Sequence, residues 1–241
     1  MKTWVITLTH LDLPILEKSL EAFKQTASMQ RTTHILCDHH WPIDYWNHRR
    51  SILTLAEKHG CKVMAPFQNR GAHGGYNWVL NNIPIEDDDM VICFDGDSMP
   101  LNPGWDEAMR KVMEQDPEYG ALFLSFNFEV NCKNWVLHTT RAGINIVKPQ
   151  SGIEMINVSA WRYSFLKRVG LFQANYKYYG QVEGPMFEHL ILQGLKWGYL
   201  DDYKEGHRPG ETDPRYRQWK ADHLTHKFSG NFEEWLCQHQ S

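Results

Sequence analysis

Asp95-Gly96-Asp97 ends an apolar, β-prone run, Met90 to Phe94. A buried strand that stops in two carboxylates sets negative charge at the margin of its sheet. That charge must be paired or must hold a cation, because an isolated buried ion is very costly. Two carboxylates with one residue between them can face a single hard divalent ion that prefers oxygen ligands. In an open α/β sheet the crevice beyond the strand ends is also where ligands bind. An acidic turn capping the next helix is the plainer reading of the same residues.

Glu183 is the candidate general base. Met186, Phe187, Leu190 and Ile191 stand at i+3, i+4, i+7 and i+8 from it. The carboxylate therefore heads the apolar stripe of a helix and is expected to point inward. Desolvation raises a buried carboxyl's pKa, as a base requires, and the helix N-terminus partly opposes that shift. A first-turn Glu complementing the helix dipole is the alternative, and Asp201 and Asp202 are reserve acids. Asp38 closes the run Thr33 to Cys37. It can accept a hydrogen bond from a base N–H, such as N3–H of uracil, or it can cap a turn. Arg70 carries a guanidinium suited to a diphosphate, or it is a solvated surface residue. Gly71, Gly74 and Gly75 let backbone approach a phosphate, or simply turn the chain. The Cys37 to His39/His40 spacing fits no standard metal site, so a loop beside the ligand is expected there, with Trp41 in it. Arg215, Arg217, Lys220 and Lys227 form a basic cluster, either folding over a charged ligand or making a solvated helix face.

These residues need a scaffold, and the apolar pattern supplies one. Strand-like runs at 3–9, 33–37, 61–65 and 90–94 alternate with helical patterns at 14–27, 44–59 and 71–82. A further helix follows Asn102-Pro103, with Trp105, Ala108, Met109, Val112 and Met113 as its stripe. This alternation through residue 115 predicts a largely parallel sheet with helices on both faces. Beyond it, strands are expected at 119–128, 153–158 and 196–200 and helices at 161–168 and 182–193, with a long loop between the first two strands. The polar tail after His207 is expected to start a helix at Asp213-Pro214 and to end in a short helix at 232–237. One domain over 1–241 is the simplest organisation: a nucleotide-binding half (1–115), an acceptor half (116–207) and a tail (208–241).

The chain has 241 residues with 42% hydrophobic and 22% charged content, an ordinary globular balance that needs no staples. A net charge of −4 gives no general polyanion-binding signal. The odd count of 5 Cys, none in a Cys-x-x-Cys pair, argues against a disulfide framework and a zinc ribbon. No apolar run reaches the ~18 residues of a membrane span, and the N-terminus is too polar for a signal peptide. The expectation is a cytoplasmic protein without a membrane span.

Taken in order, these segments resemble the nucleotide-sugar glycosyltransferases of the GT-A fold, closest to family two, over roughly Trp4 to His207. Val5 to Leu11, with Thr9, is similar to the family's first strand and donor-binding loop. Asp38 matches its base-contacting Asp. Asn69-Arg70-Gly71 with Asn77 resembles its Asn-x-Gly…Asn helix opening, and Asp95-Gly96-Asp97 its Asp-x-Asp. Asn157 to Phe172, with Arg162 and Val169-Gly170-Leu171-Phe172, resembles the acceptor-side helix. Tyr179 to Tyr199 resembles the segment carrying the catalytic acid. Val182-Glu183 stands where the family usually has Glu-Asp, so one acid of that pair is missing. His207 sits where a late His ligand occurs.

The resemblance implies an α/β GT-A fold with a mostly parallel central sheet flanked by helices. It implies a metal-dependent inverting glycosyltransferase that moves a sugar from a nucleotide-sugar, with a UDP-sugar as the expected donor, to an acceptor hydroxyl. Glu183 would be catalytic. Thr9, Asp38, Asn69, Arg70, Asn77 and Asp95 would bind the donor, and Asp95, Asp97 and His207 would hold Mn²⁺ or Mg²⁺. The residues leave the acceptor open: a glycan, a lipid-linked sugar, a protein, a small molecule or a modified nucleobase. Trp135, Tyr178, Tyr179 and Trp197 are acceptor platforms or core packing. Rival readings are a haloacid-dehalogenase-like phosphatase with Asp95 as nucleophile, a sugar-nucleotide pyrophosphorylase and a non-catalytic carbohydrate-binding protein. The first lacks a downstream Gly-Asp motif and has its strand late in the chain. The second lacks the glycine-rich loop after strand one.

Overall fold

The structure, a computed structural model, describes residues 1–9, 13–38, 45–66, 70–126, 135–149, 157–173, 183–207 and 214–225, and in the tail 227, 229, 235, 237 and 238. The first half alternates as the pattern predicts: β1 (Thr3–Thr9), α1 (Leu13–Thr26), β2 (Thr32–Asp38), α2 (Tyr45–His59), β3 (Lys62–Met64), α3 (Gly71–Leu80), β4 (Met90–Phe94), β5 (Ser98–Pro100) and α4 (Trp105–Gln115). The second half follows with β6 (Tyr119–Phe126), β7 (Trp135–Arg141), β8 (Ile144–Pro149), β9 (Val158–Arg162), α5 (Tyr163–Arg168), α6 (Glu183–Leu192), β10 (Lys196–His207) and α7 (Pro214–Leu224).

One sheet runs through both halves in the order β3-β2-β1-β4-β9-β6-β10-β8-β7, with β5 paired to β10. β3, β2, β1 and β4 are mutually parallel, and β10 is parallel to β6. β9 runs antiparallel to both β4 and β6, so those two share a direction. Strand alternation sorts the core onto two faces. Trp4, Ile6, Val91, Cys93 and Phe123 meet Tyr76 and Val79 of α3, Phe165 of α5 and Phe187 of α6. Val5, Met90, Ile92, Phe94, Leu122 and Leu124 meet Phe23 of α1 and the stripe of α4, all of whose members are buried.

Several expectations shift. The stretch read as a long loop holds the β7–β8 hairpin. β7 is the outer strand, with Val136 and Leu137 exposed, so no buried face imprints a period on its sequence. The strand expected at 153–158 begins at Val158 among the described residues, and β10 extends past Leu200 to His207. The cap of α4 is Gly104 at φ 80, a left-handed backbone that glycine adopts without penalty. Asn102 instead accepts a bond from the Lys204 backbone N–H at 2.8 Å. Ile191, expected inward, is exposed, and the buried stripe of α6 is Met186, Phe187 and Leu190. Among the described residues, no helix is long and apolar enough to cross a membrane.

Candidate active site

The parallel strands β1, β2 and β4 bring their C-terminal ends to one edge. Thr9 lies in register with Asp38, and its hydroxyl donates to the Cys37 carbonyl at 3.3 Å. Beyond β4 the chain turns through Asp95-Gly96-Asp97. The Asp95 N–H donates to the Asn157 carbonyl and the Ser98 N–H to the Asp95 carbonyl, each at 3.0 Å. Gly96 packs beside β1, where an added Cβ would make an ordinary contact with the Leu8 carbonyl oxygen at 3.5 Å. Tyr76, from α3, donates its hydroxyl to Asp95 Oδ1 at 3.3 Å.

The far end of β10 completes this corner. β5 pairs antiparallel with β10, His207 opposite Ser98, Gly206 opposite Met99 and Glu205 opposite Pro100. The backbone of His207 thus runs beside the residue that follows Asp97. The register also introduces Glu205, which sequence reasoning missed. Glu205 has no exposed surface, and neither carboxylate oxygen meets a donor in full hydrogen-bond geometry among the described residues, though the Asn157 N–H and the Ser98 hydroxyl lie close enough to favour its ionised form. Burial first, then the charge of Asp95, push its carboxyl well above the usual carboxylate range, and Asp97 adds to the effect. Asn157 Nδ2 is buried nearby and lacks a partner among the described residues. A glutamate in Lys204-Glu205-Gly206-His207 gives no sequence signal of burial; only the pairing of β10 with β5 brings it to this corner. Asp95, Asp97 and Glu205 supply the carboxylate oxygens that a hard divalent cation prefers, although the three do not close to within 4.8 Å of one another as they stand.

Asp38 is a different kind of buried acid. It is 1% exposed, with His48 Nε2 at 3.4 Å from Oδ1 and Arg49 Nη1 at 3.6 Å from Oδ2. Both groups come from the first turns of α2. Neither Asp38 oxygen has a hydrogen-bond donor among the described residues, so its charge is balanced while its acceptor capacity stays open. The Cys37 thiol beside it is pushed up to about 12, by burial first and by the Asp38 charge second, with Arg70 acting in the opposite sense. Arg70, immediately before α3, therefore lies within electrostatic reach of the same strand end.

Other expected site residues are placed differently. The Asn77 amide is engaged at both ends by Phe172, donating to its carbonyl at 2.8 Å and accepting from its N–H at 2.9 Å. It fastens α3 to the turn after α5, so its contribution to a donor site is indirect. Arg162 staples β9 to the Tyr119 and Met113 carbonyls at 3.2 and 2.6 Å. Asp201 pairs with Lys204 at 3.5 Å, and Asp202 is exposed. Trp197 packs edge-on against Phe187, with ring centroids 4.7 Å apart, beneath the Lys148 ammonium. Glu183 opens α6, as expected, but its side chain lies outside the described residues, as do those of Trp135, His207, Arg217 and Lys220. Asn69, His39, His40, Trp41, Tyr178, Tyr179 and most of 232–237 are also outside them. Arg215 and Lys227 are exposed.

Neither a protein-family model nor a curated protein sequence matches the chain. Solved structures do. A mannosyltransferase, PcManGT from Pyrobaculum calidifontis, in complex with GDP-Man and Mn²⁺, superposes with a TM-score of 0.67 at 16% identity, over 92% of this chain and 61% of its own. GalNAc-T7 with UDP, GalNAc and Mn²⁺ gives 0.67 at 10% identity, over 86% and 44%. Residues 1–349 of S. aureus TarS with UDP-GlcNAc give 0.63 at 15% identity, over 93% and 65%. The chain thus spans less than two thirds of each of these proteins. At such identities the likeness establishes architecture, and with the sheet order above it means that this chain has the GT-A fold of nucleotide-sugar glycosyltransferases.

Proposed function

We propose that the chain is a metal-dependent, inverting glycosyltransferase that moves a sugar from a nucleotide-sugar to an acceptor hydroxyl. The observation that carries this reading is the acidic corner beyond β4, where β5 pairs with β10: Asp95 and Asp97, the buried Glu205 carboxyl and the backbone of His207. Asp95, Asp97 and His207 would hold Mn²⁺ or Mg²⁺, whose charge would neutralise the diphosphate as it leaves. The neighbours' complexes with Mn²⁺ and nucleotides support the assignment of both ligand classes.

Thr9, Asp38, Asn69, Arg70 and Asp95 form the donor side, and Asn77 holds α3 in place behind them. Asp38 accepts a hydrogen bond from the base. Its open acceptor capacity suits the N3–H of uracil, and a UDP-sugar is the donor we propose. Arg70 pairs with the diphosphate, as a guanidinium can do in a bidentate way. Glu183 takes the proton of the acceptor hydroxyl, whose oxygen bonds to the anomeric carbon as the bond to the nucleoside diphosphate breaks in line. Holding both substrates in one cleft supplies much of the rate.

Calorimetric titration with UDP tests the reading. Binding that requires Mn²⁺ and vanishes in Asp97→Ala is expected. Sugar transfer that survives in excess EDTA, or UDP binding indifferent to Asp97→Ala, would overturn it. Glu183→Gln with unchanged turnover would reject that residue as the base.

A further inference from the structure

A second cluster of ligand-type side chains lies away from the acidic corner, where α1 packs on α2. Glu17 and Glu21 stand one turn apart on α1, at the i, i+4 spacing that puts two side chains on one face. His59 ends α2 beside them, and ligand atoms of the three residues lie within 4.8 Å of one another. His59 is only 7% exposed, yet among the described residues neither ring nitrogen has a hydrogen-bond partner. A buried imidazole without a partner is uncommon and calls for an explanation. We propose that Glu17, Glu21 and His59 form a divalent-metal site of zinc type, independent of the proposed glycosyl transfer, that clips α1 to α2.

The chemistry of the donor set suits the ion. Two carboxylate oxygens and one imidazole nitrogen make a three-ligand site that zinc completes with water. Burial first, and the Lys58 charge second, hold the His59 imidazole below its usual range, so its lone pair is available at neutral pH. In a tetrahedral site with bonds of about 2.1 Å the ligand atoms lie about 3.4 Å apart. The small contraction needed falls on the two half-exposed glutamates rather than on the packed histidine. A positive charge already sits there. Lys58 Nζ is 2.6 Å from Glu17 Oε1 and 3.2 Å from Glu21 Oε1. Lys58 is itself half-exposed, so its ammonium can swing into water and give way to a metal. The lysine is therefore a built-in competitor that sets the affinity of the site.

The test uses the full chain carrying Asp95→Asn and Asp97→Asn, so that the acidic corner does not contribute. Zinc binding is measured by calorimetry and by the shift in melting temperature. One equivalent is expected, and it is lost in Glu17→Gln/Glu21→Gln, whose exposed positions leave the fold intact. Lys58→Met is expected to tighten zinc binding about tenfold, the order of one charge-assisted hydrogen bond removed from the competing state. A purely structural salt bridge would make that same variant less stable and no better at binding zinc. Zinc binding that ignores the two glutamine substitutions, or that Lys58→Met leaves unchanged or weaker, would overturn the proposal. Failure of the acidic corner to bind Mn²⁺ would not bear on it.

Discussion

Asp38 and Glu205 are both fully buried acids at the functional edge of one sheet, but their surroundings have opposite sign. Asp38 sits between His48 and Arg49. Glu205 sits among acids, with Asp95 and Asp97 adding to the cost of its ionisation. No salt bridge reaches Glu205 among the described residues. Charge at Asp38 is settled within the protein, so what remains open is hydrogen-bond acceptance, a property for recognising a neutral N–H. At Glu205 the same surroundings hold the carboxyl toward its protonated form, and a cation from outside would favour its ionisation. On the proposed reading, base selection and metal binding would be built from the same residue type, separated by what α2 brings to one end of the edge and β10 to the other.

Breaking the acidic side should have the largest effect. Asp97→Ala is expected to lower the rate of sugar transfer about 10³-fold, the scale for removing one group that stabilises developing charge. Circular dichroism should show an unchanged fold, because Asp97 lies in a turn outside the core. Breaking the other side should act on stability first. Arg49→Met leaves Asp38 buried with one cation fewer, which costs about 2–3 kcal/mol. For a chain of this size that lowers the melting temperature by roughly 4–12 °C. Nucleotide affinity should fall with it, since Asp38 is then poorly held. If Arg49→Met melts like the native chain, Asp38 is not balanced as the ion pairs suggest.

These two sides were not equally legible in the sequence. Asp38 and Asp95-Gly96-Asp97 each end a strand that announces itself by a run of apolar residues, so their place at a sheet edge follows from local pattern. Glu205 does not. It lies in Lys204-Glu205-Gly206-His207, after a register shift between Leu200 and Lys204, and its burial is decided by a pairing with Ser98–Pro100 that no local window contains. The hairpin β7–β8 was hidden for a related reason: an outer strand with Val136 and Leu137 in solvent carries no alternation. Asn77 was legible as a residue but not as a role, because its partner Phe172 is distant in the chain. What local chemistry fixes can be read; what distant pairing fixes has to be seen.

Glu205→Gln sharpens the comparison. It keeps the shape of the side chain and removes an acid buried among other acids. Without metal, the variant is expected to be more stable at neutral pH by about 1–2 kcal/mol, because a carboxyl whose pKa is raised on folding costs stability there and an amide does not. With Mn²⁺ the added stabilisation should shrink. Both shifts are read from melting curves with and without the ion, and a variant less stable than the native chain without metal would contradict the reading of this corner.

The smallest effect tests β2 from its interior. His34 lies on the same strand as Asp38, its ring tilted against Phe23 with centroids 4.5 Å apart and bonded to the Thr7 hydroxyl at 2.9 Å. Burial, and secondarily the charge of His59, depress its pKa from the usual 6.5 to about 3. The folded chain therefore holds this ring neutral while the unfolded chain protonates it below pH 6.5. The sign follows: the stability contribution is complete above the unfolded value and is lost as pH falls toward the folded one. The slope from this residue alone approaches about 1.4 kcal/mol per pH unit once the unfolded ring is fully charged. Urea unfolding of the native chain and of His34→Gln at pH 7.5 and pH 5.5 isolates it. The native chain should lose about 1.4 kcal/mol more over that interval than the variant. Equal losses would mean that the ring is protonated within the fold, and that β2 tolerates positive charge in its core as well as at its end beside Asp38.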